Sequence, residues 1–349
     1  MKNYFSVSSL FSVALCFSVA GQIHAKQESF KGRRIHLKRN KALPETPNFA
    51  FGDLMQTLMY VYFLERMGAK EVVMNVPGYM RSFFEKRSNI KVRPDDGTEY
   101  EEVEVADLYE QYGCVKDFDK REKIFSVDRK EVERWKRYIT EKTDGGKEMP
   151  VAILWSCAKN HNPERNLSPG LRNFVRELDG VRFFDVEYKT DKSFDGVVTP
   201  CKEYPEIENF DSLLHFYRAM EELGGKVVAS ESGGFHFAAQ ALRGTECDGC
   251  VIGMVPEKEN ERYSEEKYEG NSVEKCAWYR KQVELVRRKK YKHWFEFLGI
   301  KKNSWDKSLE FVRDLLARDA RARKEKVVQQ NSNEKTEKKA KKLSEVLGQ

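Results

Sequence analysis

The chain lacks a second Cys-x-x-Cys pair, so Cys247-Asp248-Gly249-Cys250 has no counterpart with which to build a zinc ribbon, and no metal is expected. Spacing alone leaves that pair as a local disulfide, a redox motif or two structural cysteines. Also missing is a folded stretch in which Lys and Arg interleave with aromatic residues. The net charge of +6 is modest, and much of the excess sits in two end segments, 26–41 and 318–342. Nucleic-acid proteins spread that charge along a folded face, so no nucleic-acid partner is expected.

At 349 residues, the chain exceeds the usual size of one compact domain, and two packed halves are expected. Hydrophobic residues at 40% and aromatics at 12% supply real cores, while 34% charged residues keep the surface solvated. Lys2 precedes an apolar stretch from Phe5 to Ala20, and Ile23-His24-Ala25 offers a small residue at a cleavage position. The pattern predicts a signal peptide over 1–25 and an exported protein, periplasmic or secreted. An uncleaved anchor is the alternative, giving membrane association through this segment or a cytoplasmic location. Cleavage would remove Cys16 and leave six of the seven cysteines, an even count that permits disulfides in an exported chain.

A basic linker is read over 26–47. Beyond it, the Phe49-Ala50-Phe51-Gly52-Asp53 loop feeds a helix over 54–67, with Leu54, Leu58, Val61, Tyr62 and Leu64 near helical spacing. A strand over 71–76, a helix over 77–84 and a strand over 90–92 follow. Residues 99–119 read as connection. Residues 128–140 place Val132, Trp135, Tyr138 and Ile139 on one helical face, and Asp144-Gly145-Gly146-Lys147 breaks that helix and marks the domain boundary.

The second half opens with the apolar run Val151-Ala152-Ile153-Leu154-Trp155, suited to a central parallel strand covered on both faces. A polar loop over 156–168 follows. Then come a helix over 169–178, a strand over 181–186, a helix over 210–222, a strand over 226–230 and a helix over 234–242, an alternation that implies a parallel sheet. Residues 308–328 read as a C-terminal helix and 329–349 as a disordered charged tail.

Ligands of open α/β sheets bind at the carboxyl ends of strands, where helix N-termini suit anions. Three loops satisfy that geometry: 49–53, 156–168 and 230–236. In the third, Ser232, Gly233 and Gly234 would present successive N–H groups to a diphosphate, and Glu231 could hold sugar hydroxyls. Taken alone, the same residues also make an ordinary glycine-rich strand-to-helix turn with His236 packed behind it.

These segments resemble the heptosyltransferases of lipopolysaccharide core synthesis and their TPR-linked relatives. The likeness rests on Phe51-Gly52-Asp53-Leu54, on the strand and basic loop from Ile153 to Ser168, and on Glu231-Ser232-Gly233-Gly234-Phe235-His236. It extends to Ala277-Trp278-Tyr279-Arg280 near the end, so it spans roughly 48–294. The resemblance implies a GT-B fold, two Rossmann-like doubly wound parallel-sheet domains facing a cleft, with an acceptor domain over 48–146 and a donor-binding domain over 147–307. It implies an inverting glycosyltransferase that uses a nucleotide-diphosphate sugar, of heptose or related type, and a glycan or protein acceptor, with no cofactor.

Carried over, Asp53 beside Gly52 would be the catalytic base. Lys159 or Arg165 would neutralise the leaving diphosphate. Glu231, Ser232, Gly233, Gly234 and His236 would hold the donor. Without the resemblance, Asp53 reads as a helix N-cap and Lys159 as a solvated loop charge. Glu231 stands where the family usually has Asp, and Phe235 adds bulk near the sugar pocket. Nucleotide sugars are cytoplasmic metabolites, which sits badly with an exported N-terminus. An exported, non-catalytic glycan- or protein-binding descendant of the fold is therefore the alternative reading.

Overall fold

The computed structural model describes residues 30–38, 51–105, 107–108, 124–154, 178–186, 196–230, 233–242, 250–255, 283–287 and 305–347. The segment read as a signal peptide, 1–25, lies outside them. Contacts divide the chain into two compact units. One is Met1–Phe49, Gln56–Asp119 and Asn271–Ala277; the other is Ala50–Met55, Lys120–Gly270 and Trp278–Gln349. The helix over 129–142 falls in the second unit, where it packs with the second sheet.

The first unit holds a four-stranded sheet in the order β3-β2-β1-β4, with β1 at Arg34–Lys38, β2 at Glu71–Met74, β3 at Lys91–Val92 and β4 at Glu101–Glu104. Every pairing is parallel. Helix α1, Phe51–Arg66, joins β1 to β2, and α2, Gly78–Arg87, joins β2 to β3. Leu54, Leu58, Val61 and Leu64 of α1 are buried as the spacing predicts, with Tyr60 buried in place of the half-exposed Tyr62.

Two expectations are corrected here. The basic linker contains the strand β1 that pairs on both sides, because Ile35 and Leu37 alternate with Arg34, His36 and Lys38 and give one apolar face. The connection read over 99–119 contains β4, whose Glu102 pairs with Lys38 and lies 3.8 Å from His36.

The second unit carries a six-stranded sheet, also wholly parallel, in the order β10-β9-β8-β5-β6-β7. Its strands are β5 Met149–Leu154, β6 Val181–Asp185, β7 Val197–Val198, β8 Lys226–Ser230, β9 Val251–Val255 and β10 Val283–Arg287. β5 is central and buried at every position, as its uninterrupted apolar run requires.

Helices α3, Arg129–Lys142, and α4, Phe210–Glu222, cover one face. There the rings of Trp135, Tyr138, Phe184 and Phe216 meet edge to face. Asp128 caps α3 by accepting from the Lys130 N–H, and Asn209 caps α4 by accepting from the Ser212 N–H. A nine-residue helix α5, Gly233–Ala241, follows β8.

Helix α6, Trp305–Leu347, covers the other face. Its Val312, Leu315, Leu316 and Ala320 join Val151, Ile153, Phe183, Val228 and Ile252 in one core. The tail expected to be disordered over 329–349 is helical through Leu347. Its charge excludes burial, yet it contains no proline or glycine between 305 and 347, and its Lys, Glu, Gln and Ala favour helix.

Candidate functional site

In the second sheet, β5, β6 and β7 run out to one side and β8, β9 and β10 to the other, so the strand order reverses between β5 and β8. These two strands are hydrogen-bonded neighbours, with Leu154 opposite Ala229 at their carboxyl ends. Loops leaving adjacent strands at such a reversal diverge to opposite faces and open a crevice, where ligands of doubly wound sheets bind. The loop leaving β5 carries Lys159 and Arg165, which lie outside the described residues. The loop leaving β8 carries Glu231 and Ser232, likewise outside them, and then enters α5.

Gly233 and Gly234 are the first two residues of α5, and both are half-buried. N–H groups of a first helical turn have no partner within the helix, and the helix dipole adds partial positive charge. An anion is therefore favoured at this point, and a glycine lets it approach the backbone. His236 is buried at 8% exposure, its ring 5.0 Å from that of Phe235. Phe235 is itself 2% exposed, so the bulk expected in the sugar pocket is packed into the unit.

Gly52 and Asp53 belong to the first turn of α1, where a loop had been expected. This turn falls in the second unit, together with α5. One buried bond joins them: Gln240 Nε2 donates to the Met55 carbonyl over 2.8 Å. Gln240 is wholly enclosed, and its Oε1 accepts no hydrogen bond among the described residues. A buried amide is costly to misplace, so this bond holds α5 against the first residues of α1.

The structure thus brings the Gly52-Asp53 turn and the Gly233-Gly234 turn into one unit, and it sets the base of the Lys159 loop beside the strand feeding α5. Sequence reasoning missed Gln240. Its signal was a lone polar residue in the otherwise apolar run Phe235-His236-Phe237-Ala238-Ala239-Gln240-Ala241-Leu242.

Among the described residues, no group of three or more His, Cys, Asp or Glu side chains is arranged to hold a metal, and no helix is long and apolar enough to cross a membrane. Cys250, just before β9, is disulfide-bonded, whereas Cys201 carries a thiol. No family model matches the chain, and no curated protein sequence matches it. Among solved structures, the crystal structure of a glycosyl transferase family 9 protein from Veillonella parvula DSM 2008 is similar over 83% of this chain and 98% of its own, with a TM-score of 0.49 and 10% sequence identity. At that score the likeness carries no argument about what this chain does.

Proposed function

We propose that the chain is a glycosyltransferase of GT-B type that transfers a sugar from a nucleotide-diphosphate donor to a glycan or protein acceptor. The observation that carries this reading is the strand reversal between β5 and β8, with the glycine-led helix α5 leaving one side of it. In the proposed reaction, the donor diphosphate sits on the N–H groups of Gly233 and Gly234, with Ser232 and Glu231 beside it and His236 behind the turn. Asp53 takes the proton from the acceptor hydroxyl as that oxygen attacks the anomeric carbon from the face opposite the diphosphate, which inverts the configuration. The bond to the diphosphate breaks, and Lys159 or Arg165 neutralises the charge that develops on it. These cations and the helix N-terminus do the work that a metal does elsewhere.

Replacing Asp53 with Asn keeps the size of the side chain and removes the base. Transfer should fall by at least about a hundredfold with the unfolding midpoint unchanged. Unchanged turnover would remove Asp53 from the mechanism. The disulfide at Cys250 favours the second reading, an exported and non-catalytic binder, because disulfides persist in oxidising compartments where nucleotide sugars are scarce. Mass spectrometry of the native N-terminus separates the two. A start at residue 26 in an exported fraction supports the binder, and an intact Met1 supports the transferase.

A further inference from the structure

We infer that the first sheet carries an oxyanion-binding site of its own, where His36, Lys38, Asn75 and Arg93 meet at the carboxyl ends of β1, β2 and β3. This site needs neither Asp53 nor a sugar donor, so it stands apart from the transferase reading. The order β3-β2-β1-β4 reverses between β1 and β4, so the crevice of that sheet opens at the carboxyl end of β1, where Lys38 stands. Lys38 ends β1, Asn75 follows β2, and Arg93 follows β3. His36 lies one step below, opposite Val73 on one side and Glu102 on the other.

The hydrogen bonds set the chemistry. Arg93 Nη1 lies 3.0 Å from His36 Nδ1, and a guanidinium can only donate, so Nδ1 accepts and the ring proton of the neutral imidazole sits on Nε2. His36 is 1% exposed, and its buried Nε2 has no hydrogen-bond partner among the described residues. Asn75 stands beside the ring and favours its protonated form. A buried donor left unsatisfied destabilises the fold, and an oxygen acceptor from a ligand would remove that cost.

Arg93 is held in place by its backbone, whose N–H donates to the Met74 carbonyl over 3.0 Å and whose carbonyl accepts from Arg81. One of its five guanidinium N–H groups is used on the imidazole, and no carboxylate among the described residues pairs with it. Lys38 pairs with Glu102, whose Oε1 is also 3.8 Å from His36 Nδ1. Glu104 stands opposite Lys38 in register, so Glu102 and Glu104 lie on the lysine side, and the donors left to a ligand are those of Arg93 and the imidazole N–H, which suit the oxygens of a carboxylate or phosphate group.

The imidazole reports occupancy. Burial, with Arg93 and Lys38 adding to it, holds the ring below its ordinary value of 6.5, and a bound anion would push it back up. The test is NMR of the histidine rings of the full chain, titrated at constant ionic strength with inorganic phosphate, glucuronate and glucose, with His36 assigned by its loss in His36→Asn. Phosphate or glucuronate should shift the His36 ring saturably and raise its titration midpoint, while glucose should not. Tighter binding of phosphate marks a phosphate ester as the ligand; tighter binding of glucuronate marks an acidic sugar. Arg93→Gln, which can still donate to Nδ1, should weaken the anion by at least about tenfold, the loss of one charge-assisted bond. Should that variant not fold, the wild-type midpoint decides alone. A midpoint unmoved by high concentrations of both anions, or an Arg93→Gln chain that binds as tightly, overturns the site.

Discussion

Between α4 and β8 the chain has no room for a side chain at residue 225. A Cβ built on Gly225 would lie 2.7 Å from the Pro150 carbonyl oxygen and 2.9 Å from that of Met220, both of them backbone atoms. Gly225→Ala should cost about 1–3 kcal/mol in urea unfolding, because the neighbouring backbone must shift to admit the methyl group. No loss of stability would contradict the close approach. His36 gives a second prediction, in pH. Its ring is held below 6.5 in the native state, so the unfolded chain takes up the proton first as pH falls, and the native state loses stability below about that pH. The urea midpoint should drop between about pH 7.5 and about pH 5.5, and should drop less in His36→Gln. Equal drops would remove His36 from the effect. Glu71, held low by Lys91, and Glu222, held low by Arg129, act only below their ordinary 4.5, outside this window. Gly233 and Gly234 were legible at this scale because a glycine pair after an apolar strand is a local signal. The His36 cluster was not, since its members are 57 residues apart in the chain and meet only through sheet register.

Among the elements, those with an apolar period came through the sequence well. The period in α3 and α4 and the unbroken run in β5 gave strands and helices within a few residues of those observed. The elements misread were the charged ones. β1 has two apolar residues among basic ones, and β4 is almost wholly acidic, so neither showed the apolar content of a strand, although each is stabilised by pairing and opposite charge. The C-terminal half of α6 was read as disordered for the same reason. What docks α6 is local: Arg323 donates to the Leu223 carbonyl at the end of α4 and, over 3.1 Å, to the Gly146 carbonyl in the turn before β5. Lys226 adds an ion pair to Asp319 at 3.1 Å. Arg323→Met keeps the aliphatic stem and leaves both carbonyls without that donor, so thermal unfolding should show a loss of about 1–3 kcal/mol. Truncation after residue 325 should cost far less, because the described side chains beyond it are exposed. A truncation as damaging as Arg323→Met would show that the distal half of the helix packs as well.

For the whole molecule, the alternation of strands and helices announced parallel sheets, and both sheets are parallel throughout. Strand order could not be read from the chain, because it depends on which strands pair and not on their own composition. That order sets the carboxyl ends of β5 and β8 side by side, and Gln240 ties α5 to the first residues of α1. The central claim is that this place holds a nucleoside diphosphate. Its most direct test is calorimetric titration of the full-length chain with uridine, adenosine, guanosine and cytidine diphosphates, repeated with Gly234→Val. The account predicts saturable binding of one of them in the micromolar range, weakened at least about tenfold by the added side chain at the helix N-terminus. A folded chain that binds none of the four, or a Gly234→Val chain that binds as well as the wild type, would contradict it.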